Sequence, residues 1–291
     1  MTESFHTVNN YDSKEVSMGN LGYKALALDL DGTLTDSNKN LPTRNKEVLK
    51  KAMDLGLKVI LISGRSVMGI TGLAEELDFK KYGGIIAAFN GGKIFDYQTG
   101  ETIQQLMFPA KAIANTCAIV RKYGAQPLSY TDTHIVAETD TDEYVLKECK
   151  CNSTTVQKVS WLPDFLDYPI PKILGAGEHE QLLKARDEFL AMYSDICDSF
   201  FAESFFLELA PKGVAKDKAL SKVCDYLNIT PKELMACGDG LNDISMLDFA
   251  GWGVAMKNAY PETLAMADCI APFTNDECGV AWAVETFILN A

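Results

Sequence analysis

At 291 residues, 47% hydrophobic and 23% charged, the chain can bury a full core and suits one large domain or two of ordinary size. Its 27 basic against 40 acidic residues leave a net charge of −13, which excludes a general pull toward nucleic acid or anionic lipid, so any anionic substrate must meet a local positive site. No apolar run approaches the roughly 20 residues of a membrane helix, and the eight cysteines lack the C-x-x-C spacing and histidine partners of a zinc site, so reduced thiols in a cytoplasm are expected.

Residues 1–19 (MTESFHTVNNYDSKEVSMG) have neither the basic nor the apolar region of a signal peptide and read as a disordered or tag-like extension. An apolar run at 25–30 follows, then a helix over 43–55 with Val48, Leu49, Ala52 and Met53 on one face and Gly56 placed to end it. KVILIS (58–63) reads as a strand, 67–77 as a helix and GIIAAF (84–89) as a third strand. Strands apolar on both faces and separated by helices imply a parallel sheet covered on both sides.

From about 93 to 199 the pattern changes. A hairpin around DYQTGET leads to a helix at 110–123, polar-interleaved strands around PLSYTDTHIVAE, a short helix, TVQKVS, PKILGAG and a helix at 178–193. Alternating strands imply a sheet with one exposed face. The expected organisation is therefore an α/β core formed by 20–92 and 200–291, interrupted by a separate α+β domain at 93–199. After it comes a helix at 216–227 with Leu220, Val223, Cys224 and Leu227 as its buried stripe. Thr230, Pro231 and Glu233 form a capped turn before LMACGDG, a strand ending in acids. GVAM and CIA read as final edge strands, and 278–289 as a closing helix.

In LALDLDGTLTDS, a period-two strand points Asp29 and Asp31 toward the same side, where they repel when both are ionised. Alone, D-x-D-G would be a pair of turn acids. In an open parallel sheet, however, the carboxyl ends of the strands converge, and 29–33, 63–65, 212–216 and 238–243 all sit at such ends. Asp29, Asp31, Asp239 and Asp243 would then share one crevice, which is costly unless a cation neutralises them. Hard oxygen ligands with no nearby His or Cys suit Mg²⁺, which takes one or two carboxylates and a phosphate oxygen. A calcium loop fails on spacing, since Gly32 is fourth from Asp29 and the twelfth residue is Asn40.

Ser63 and Gly64 would present a hydroxyl and backbone amides to an anion, although a serine in this place ordinarily caps a helix. Lys216 opens a helix, where the dipole disfavours a cation, which points to another role; Lys212 could serve in its place. GDGLND lacks the third glycine of a dinucleotide loop, and neither G-x-S-x-G nor a P-loop occurs. His6, His134 and His179 have no metal-like spacing.

Taken in order, DLDGTLTDS, ISGR, PKGVAKDKAL and GDGLNDISML resemble the four motifs of the haloacid dehalogenase superfamily of phosphohydrolases. GVAMKNA and FNGGKI narrow the resemblance to a Cof-like sugar-phosphatase type. It implies a Rossmann-like parallel-sheet core with an inserted α+β cap, and an Mg²⁺-dependent phosphatase acting on small phosphorylated metabolites, sugar phosphates foremost, through an aspartyl-phosphate. Asp29 is then the nucleophile and Asp31 the acid/base. The Asp29 side chain, the Asp31 backbone carbonyl and Asp239 would hold Mg²⁺, with Asp243 in the same metal group. Gly32, Thr33, Ser63, Gly64 and Arg65 would line the phosphate site, Lys216 would neutralise the phosphoryl group and the nucleophile, and Asn242 and Asp243 would orient the lysine and metal waters.

Two departures, Lys257 where glycine is usual and Cys278 where an acid is usual, are expected to affect the rim or local turns rather than the chemistry. A phosphotransferase or phosphomutase, or a catalytically idle ligand-binding regulator, are the alternatives on this scaffold. The expected partner is a small phosphorylated substrate, with no nucleic acid and no membrane, bound by a monomer or weak homo-oligomer.

Overall fold

Unbroken burial along β1 (Ala25–Leu28) explains the central layer. Leu26 and Leu28 join one apolar cluster with Val48, Leu49, Ala52 and Met53, whereas Ala25 and Ala27 join another with Ile60, Ile62, Leu220 and Val223. Successive side chains of a strand point to opposite faces, so a strand apolar at every position needs cover on both. The helices Thr43–Asp54 and Lys216–Leu227 supply that cover on the two sides. The chain is described by a computed structural model over residues 22–290, so the reading of 1–19 lies outside the described residues.

The strands after β1 are β2 (Lys58–Ile62), β3 (Ile85–Ala88), β4 (Lys93–Asp96), β5 (Thr102–Gln105), β6 (Gln126–Tyr130), β7 (Ile135–Ala137), β8 (Val156–Lys158), β9 (Ile173–Ala176), β10 (Cys197–Glu203), β11 (Phe206–Pro211), β12 (Leu234–Gly238), β13 (Trp252–Ala255) and β14 (Cys269–Ile270). They form an eight-stranded sheet in the order β14-β13-β12-β1-β2-β3-β4-β5 and a six-stranded sheet in the order β10-β11-β9-β6-β7-β8. The first is parallel from β14 to β3. The second is antiparallel except where β7 pairs with β8.

Pairing moves two segments relative to the sequence reading. The hairpin β4–β5 extends the large sheet beside β3, with Ile86 opposite Phe95, instead of opening the inserted unit at 93. At the other end, β10 and β11 belong to the second sheet, so the return to the core comes after Pro211 and not at 200. Both errors follow from texture. β4 alternates buried and partly buried residues as a one-faced sheet does, while β11 is buried at all six positions and looks like a core strand. In addition, β13 lies between β12 and β14 and is no edge strand. The closing helix is α-helical over Gly279–Val284 and widens to a π-helix over Glu285–Leu289.

The register places the ends that matter side by side. Leu28 is level with Cys237 on one side and Leu61 on the other, so Asp29, Ser63 and Asp239 leave adjacent strands at one edge. The turn after β3 holds Asn90 at φ 54° and Gly91 at φ 94°, and a Cβ on Gly91 would lie 2.3 Å from the Cβ of Ala219. That close approach seats the Lys216 helix against the sheet. Gly91→Ala should therefore cost about 2 kcal/mol or more through overlap and left-handed strain, read as a lower urea midpoint; an unchanged midpoint would contradict this packing.

Candidate active site

Lys216, 1% exposed at the first turn of its helix, is the pivot of the cleft. Its Nζ donates to Asp29 Oδ1 and Asp243 Oδ1, both at 2.6 Å, and to the Ile62 carbonyl at 3.3 Å. Three acceptors for three protons leave the ammonium satisfied. Burial alone would lower its pKa, but the Asp243 and Asp29 carboxylates raise it above the ordinary lysine value. Asp29 is pushed well above the ordinary carboxylate range, first by burial and then by the charge of Asp243, with Lys216 pulling the other way. Its Oδ2 takes no hydrogen bond among the described residues, and Asp29 lines the cleft.

Asp243 is fully occupied. Besides Lys216, its Oδ2 accepts from the backbone amides of Asp239 at 2.9 Å and Gly240 at 2.8 Å. Asp239 Oδ1 accepts from Thr33 Oγ1 at 2.6 Å. Gly32 makes this approach possible: its φ is 81°, and a Cβ there would lie 2.3 Å from Asp239 Oδ2. Burial lifts the Asp239 carboxyl to about 6, against the hydrogen bond from Thr33.

Asp29, Asp239 and Asp243 each bring one carboxylate oxygen within 4.8 Å of the others. Three hard oxygens facing a single ammonium fit a divalent cation such as Mg²⁺. Asp31 departs from the expected four-acid cluster. Its carboxylate is held by Arg65 in a two-point contact, Nε to Oδ2 at 2.8 Å and Nη2 to Oδ1 at 2.6 Å, and by Lys39 at 2.6 Å. A planar guanidinium matches a carboxylate in this way and draws it out of the cluster. Despite burial, which would raise it, the contacts with Arg65 and Lys39 hold Asp31 below the usual range. Three of the five Arg65 guanidinium N–H groups are thereby used on Asp31 and the Gly69 carbonyl, and Arg65 lines the cleft.

Ser63 Oγ accepts from the Arg65 amide at 3.2 Å, and Ser63, Gly64 and Asn242 line the cleft. Asn242 Nδ2 donates to Asn90 Oδ1 at 3.2 Å, and the Asn90 amide donates to the Ser63 carbonyl at 2.8 Å. Lys212 is elsewhere, paired with Asp198 and the Ser194 carbonyl. Neither Lys257 nor Cys278 lines the cleft.

The cleft, of about 530 Å³, is closed on its far side by the second sheet and the helix Glu143–Cys151, which contribute Glu148, Asn152, Lys172, Phe200, Phe201 and Glu208. Sequence reasoning missed these residues, and Lys39 and Asn90. Asn90 had a signal, since a polar residue before two glycines after a strand marks a tight turn; the others had none. Two buried contacts tie the halves together: Asn152 Oδ1 accepts from the Ser66 amide at 3.0 Å and Ser66 Oγ at 2.7 Å, and Lys172 Nζ donates to the Gly64 carbonyl at 3.2 Å.

A family model described as haloacid dehalogenase-like hydrolase matches residues 26–284. The chain belongs to that family. A putative phosphatase of Bacillus subtilis, YxeH, is 26% identical over 274 residues, covering 92% of this chain and 99% of that protein. Among solved structures, a haloacid dehalogenase-like hydrolase from Bacteroides thetaiotaomicron superposes with a TM-score of 0.87 at 36% identity, over 90% of this chain and 98% of that one. The subclass IIB sugar phosphatase BT4131 superposes with a TM-score of 0.78 at 26% identity, over 91% and 98%. With named phosphatases matching along nearly its whole length, this member of the family is an enzyme, a phosphatase.

The raised Asp239 carboxyl gives a signed pH effect. A group whose pKa is higher folded than unfolded supports the fold while protonated and loses that support as pH rises through the folded value, here about 6. In chelator, the thermal midpoint of the wild type relative to Asp239→Asn should fall mainly between about pH 4 and pH 6, by calorimetry. Parallel curves would contradict the assignment.

Proposed function

We propose that this phosphatase hydrolyses small phosphorylated metabolites, sugar phosphates foremost, through an aspartyl-phosphate on Asp29, with the second sheet and its helices acting as a cap. The observation that carries the reading is the asymmetry of Asp29: Lys216 fixes Oδ1 and favours the ionised group against burial, while Oδ2 is left without a partner among the described residues at the cleft. Oδ2 attacks phosphorus, forming the Asp29–phosphorus bond as the ester oxygen departs. Asp31 gives that oxygen a proton, then takes one from the water that attacks phosphorus and frees Asp29.

Arg65 and Lys39 keep Asp31 ionised in the arrangement seen, so proton donation requires that pairing to loosen when substrate enters. Lys216 balances the nucleophile, and the Ser63–Gly64 turn, with Gly32 and Asn242 around it, receives the phosphoryl oxygens; Thr33, expected there, is buried and gives its hydroxyl to Asp239 instead. Asp29 and Asp239, with the Asp31 backbone carbonyl, would hold Mg²⁺, and the ion would supply positive charge to the phosphoryl group. The name sugar phosphatase belongs to BT4131; the match with it supports the same substrate class here. The eight cysteines, all free, suit a reducing cytoplasm.

Phosphate release from p-nitrophenyl phosphate in Mg²⁺ tests the mechanism. Asp29→Asn should lower turnover by about four orders of magnitude with its circular dichroism unchanged, and Ca²⁺ should replace Mg²⁺ poorly because of its looser coordination. Retained turnover in the variant would show that another group attacks phosphorus.

A further inference from the structure

Across the cleft from Asp29, the wall holds a carboxylate that the reaction does not use. Glu148, on the helix Glu143–Cys151, is 8% exposed and lines the cleft. Its Oε1 accepts from Tyr130 Oη and from Asn152 Nδ2, both at 2.8 Å. Its Oε2 takes no hydrogen bond among the described residues. A carboxylate this buried is costly unless its lone pairs are met, and Asp243 shows how the fold meets both oxygens where the role is structural. Lys172 is no partner for it, being bonded to Glu208 Oε1 at 2.7 Å and the Gly64 carbonyl at 3.2 Å.

The position of Glu148 relative to the phosphoryl pocket is fixed as well. Asn152 grips Glu148 through Nδ2 and Ser66 through Oδ1, so one side chain sets the spacing between the wall and the Ser63–Ser66 turn. The charges of the cleft divide accordingly. On the phosphoryl side, Asp29, Asp31, Asp239 and Asp243 face Lys216, Arg65 and Lys39, a balance that a bound divalent cation would turn positive. On the far side Lys172 is cancelled by Glu208, which leaves Glu148 and Glu203 as net negative charge beside Phe200, Phe201 and Leu174. Acceptor oxygens next to flat apolar surface suit a molecule with hydroxyls on its edge and C–H groups on its face.

We propose that Glu148 determines leaving-group specificity: its Oε2 accepts a hydrogen bond from a hydroxyl of an uncharged polyol or sugar, and the negative wall rejects leaving groups that carry a carboxylate. The assignment rests on the phosphatase reading above and names the substrate class within it.

Sorbitol 6-phosphate and 6-phosphogluconate test it, since they differ only in a terminal hydroxymethyl group against a carboxylate. In Mg²⁺, the wild-type kcat/KM should favour sorbitol 6-phosphate by about tenfold or more, mainly through KM. Glu148→Gln should narrow that ratio by about tenfold. Glu148→Asp, which keeps the charge and shortens the reach, should keep the rejection of 6-phosphogluconate while raising KM for sorbitol 6-phosphate. Equal wild-type rates on the two esters, or variants that slow both by one factor, would overturn the assignment. If Glu148→Gln does not fold, the wild-type ratio and Glu148→Asp decide. Failure to release phosphate from any ester, p-nitrophenyl phosphate included, would instead overturn the phosphatase mechanism itself.

Discussion

One buried ammonium holds three strand ends together. Lys216 touches Asp29 and Asp243 and reaches the carbonyl of Ile62, linking the ends of β1, β2 and the turn after β12. Removing one partner from a buried pair of this kind leaves an uncompensated charge worth about 3–5 kcal/mol, so the lysine and the acids constrain one another. With Asp239 within the same triangle of oxygens, the account of charge stays negative by up to two. That deficit is the physical basis of the proposal that the crevice takes a divalent cation and a phosphoryl group brought with it.

The fold supplies the positions and the loops supply the freedom. Parallel pairing of β12, β1 and β2 fixes the three ends, and the left-handed Gly32 and Gly91 let a loop and a helix come closer than any side chain would permit. By contrast Asp31, only two residues from Asp29, is held apart by Arg65 and Lys39. Two carboxylates of one short motif are thus set to opposite tendencies, Asp29 pushed up by burial and Asp31 held down by its cations. A nucleophile works ionised and a general acid protonated, so both tendencies have to be reversed when substrate enters. The second sheet completes the cleft and adds a wall of its own chemistry.

Much of this was legible in the chain. Double-faced apolar strands foretold the parallel sheet, and the motif resemblance brought Asp29, Asp239, Asp243, Ser63 and Lys216 to one place before any coordinates, with Lys216 rather than Lys212 at the crevice. What could not be read were pairings that depend on partners remote in sequence. β4 and β5 look like a one-faced sheet until β3 is set beside them, and β11 looks like core until it is seen between β10 and β9. The Asp31 carboxylate is held apart from the other acids by Arg65 and by Lys39, which sits in a left-handed turn. Glu148, Lys172 and Glu208 come from a helix, the segment before β9, and β11, so no local spacing marks them.

The charge deficit of the crevice is most directly measured by titrating chelator-stripped protein with Mn²⁺ at neutral pH, following loss of the free-ion paramagnetic resonance signal. The account predicts one site per chain that Mg²⁺ displaces and that Asp239→Asn loses. A signal that stays free at all concentrations, or a variant that binds as well as the wild type, would contradict it.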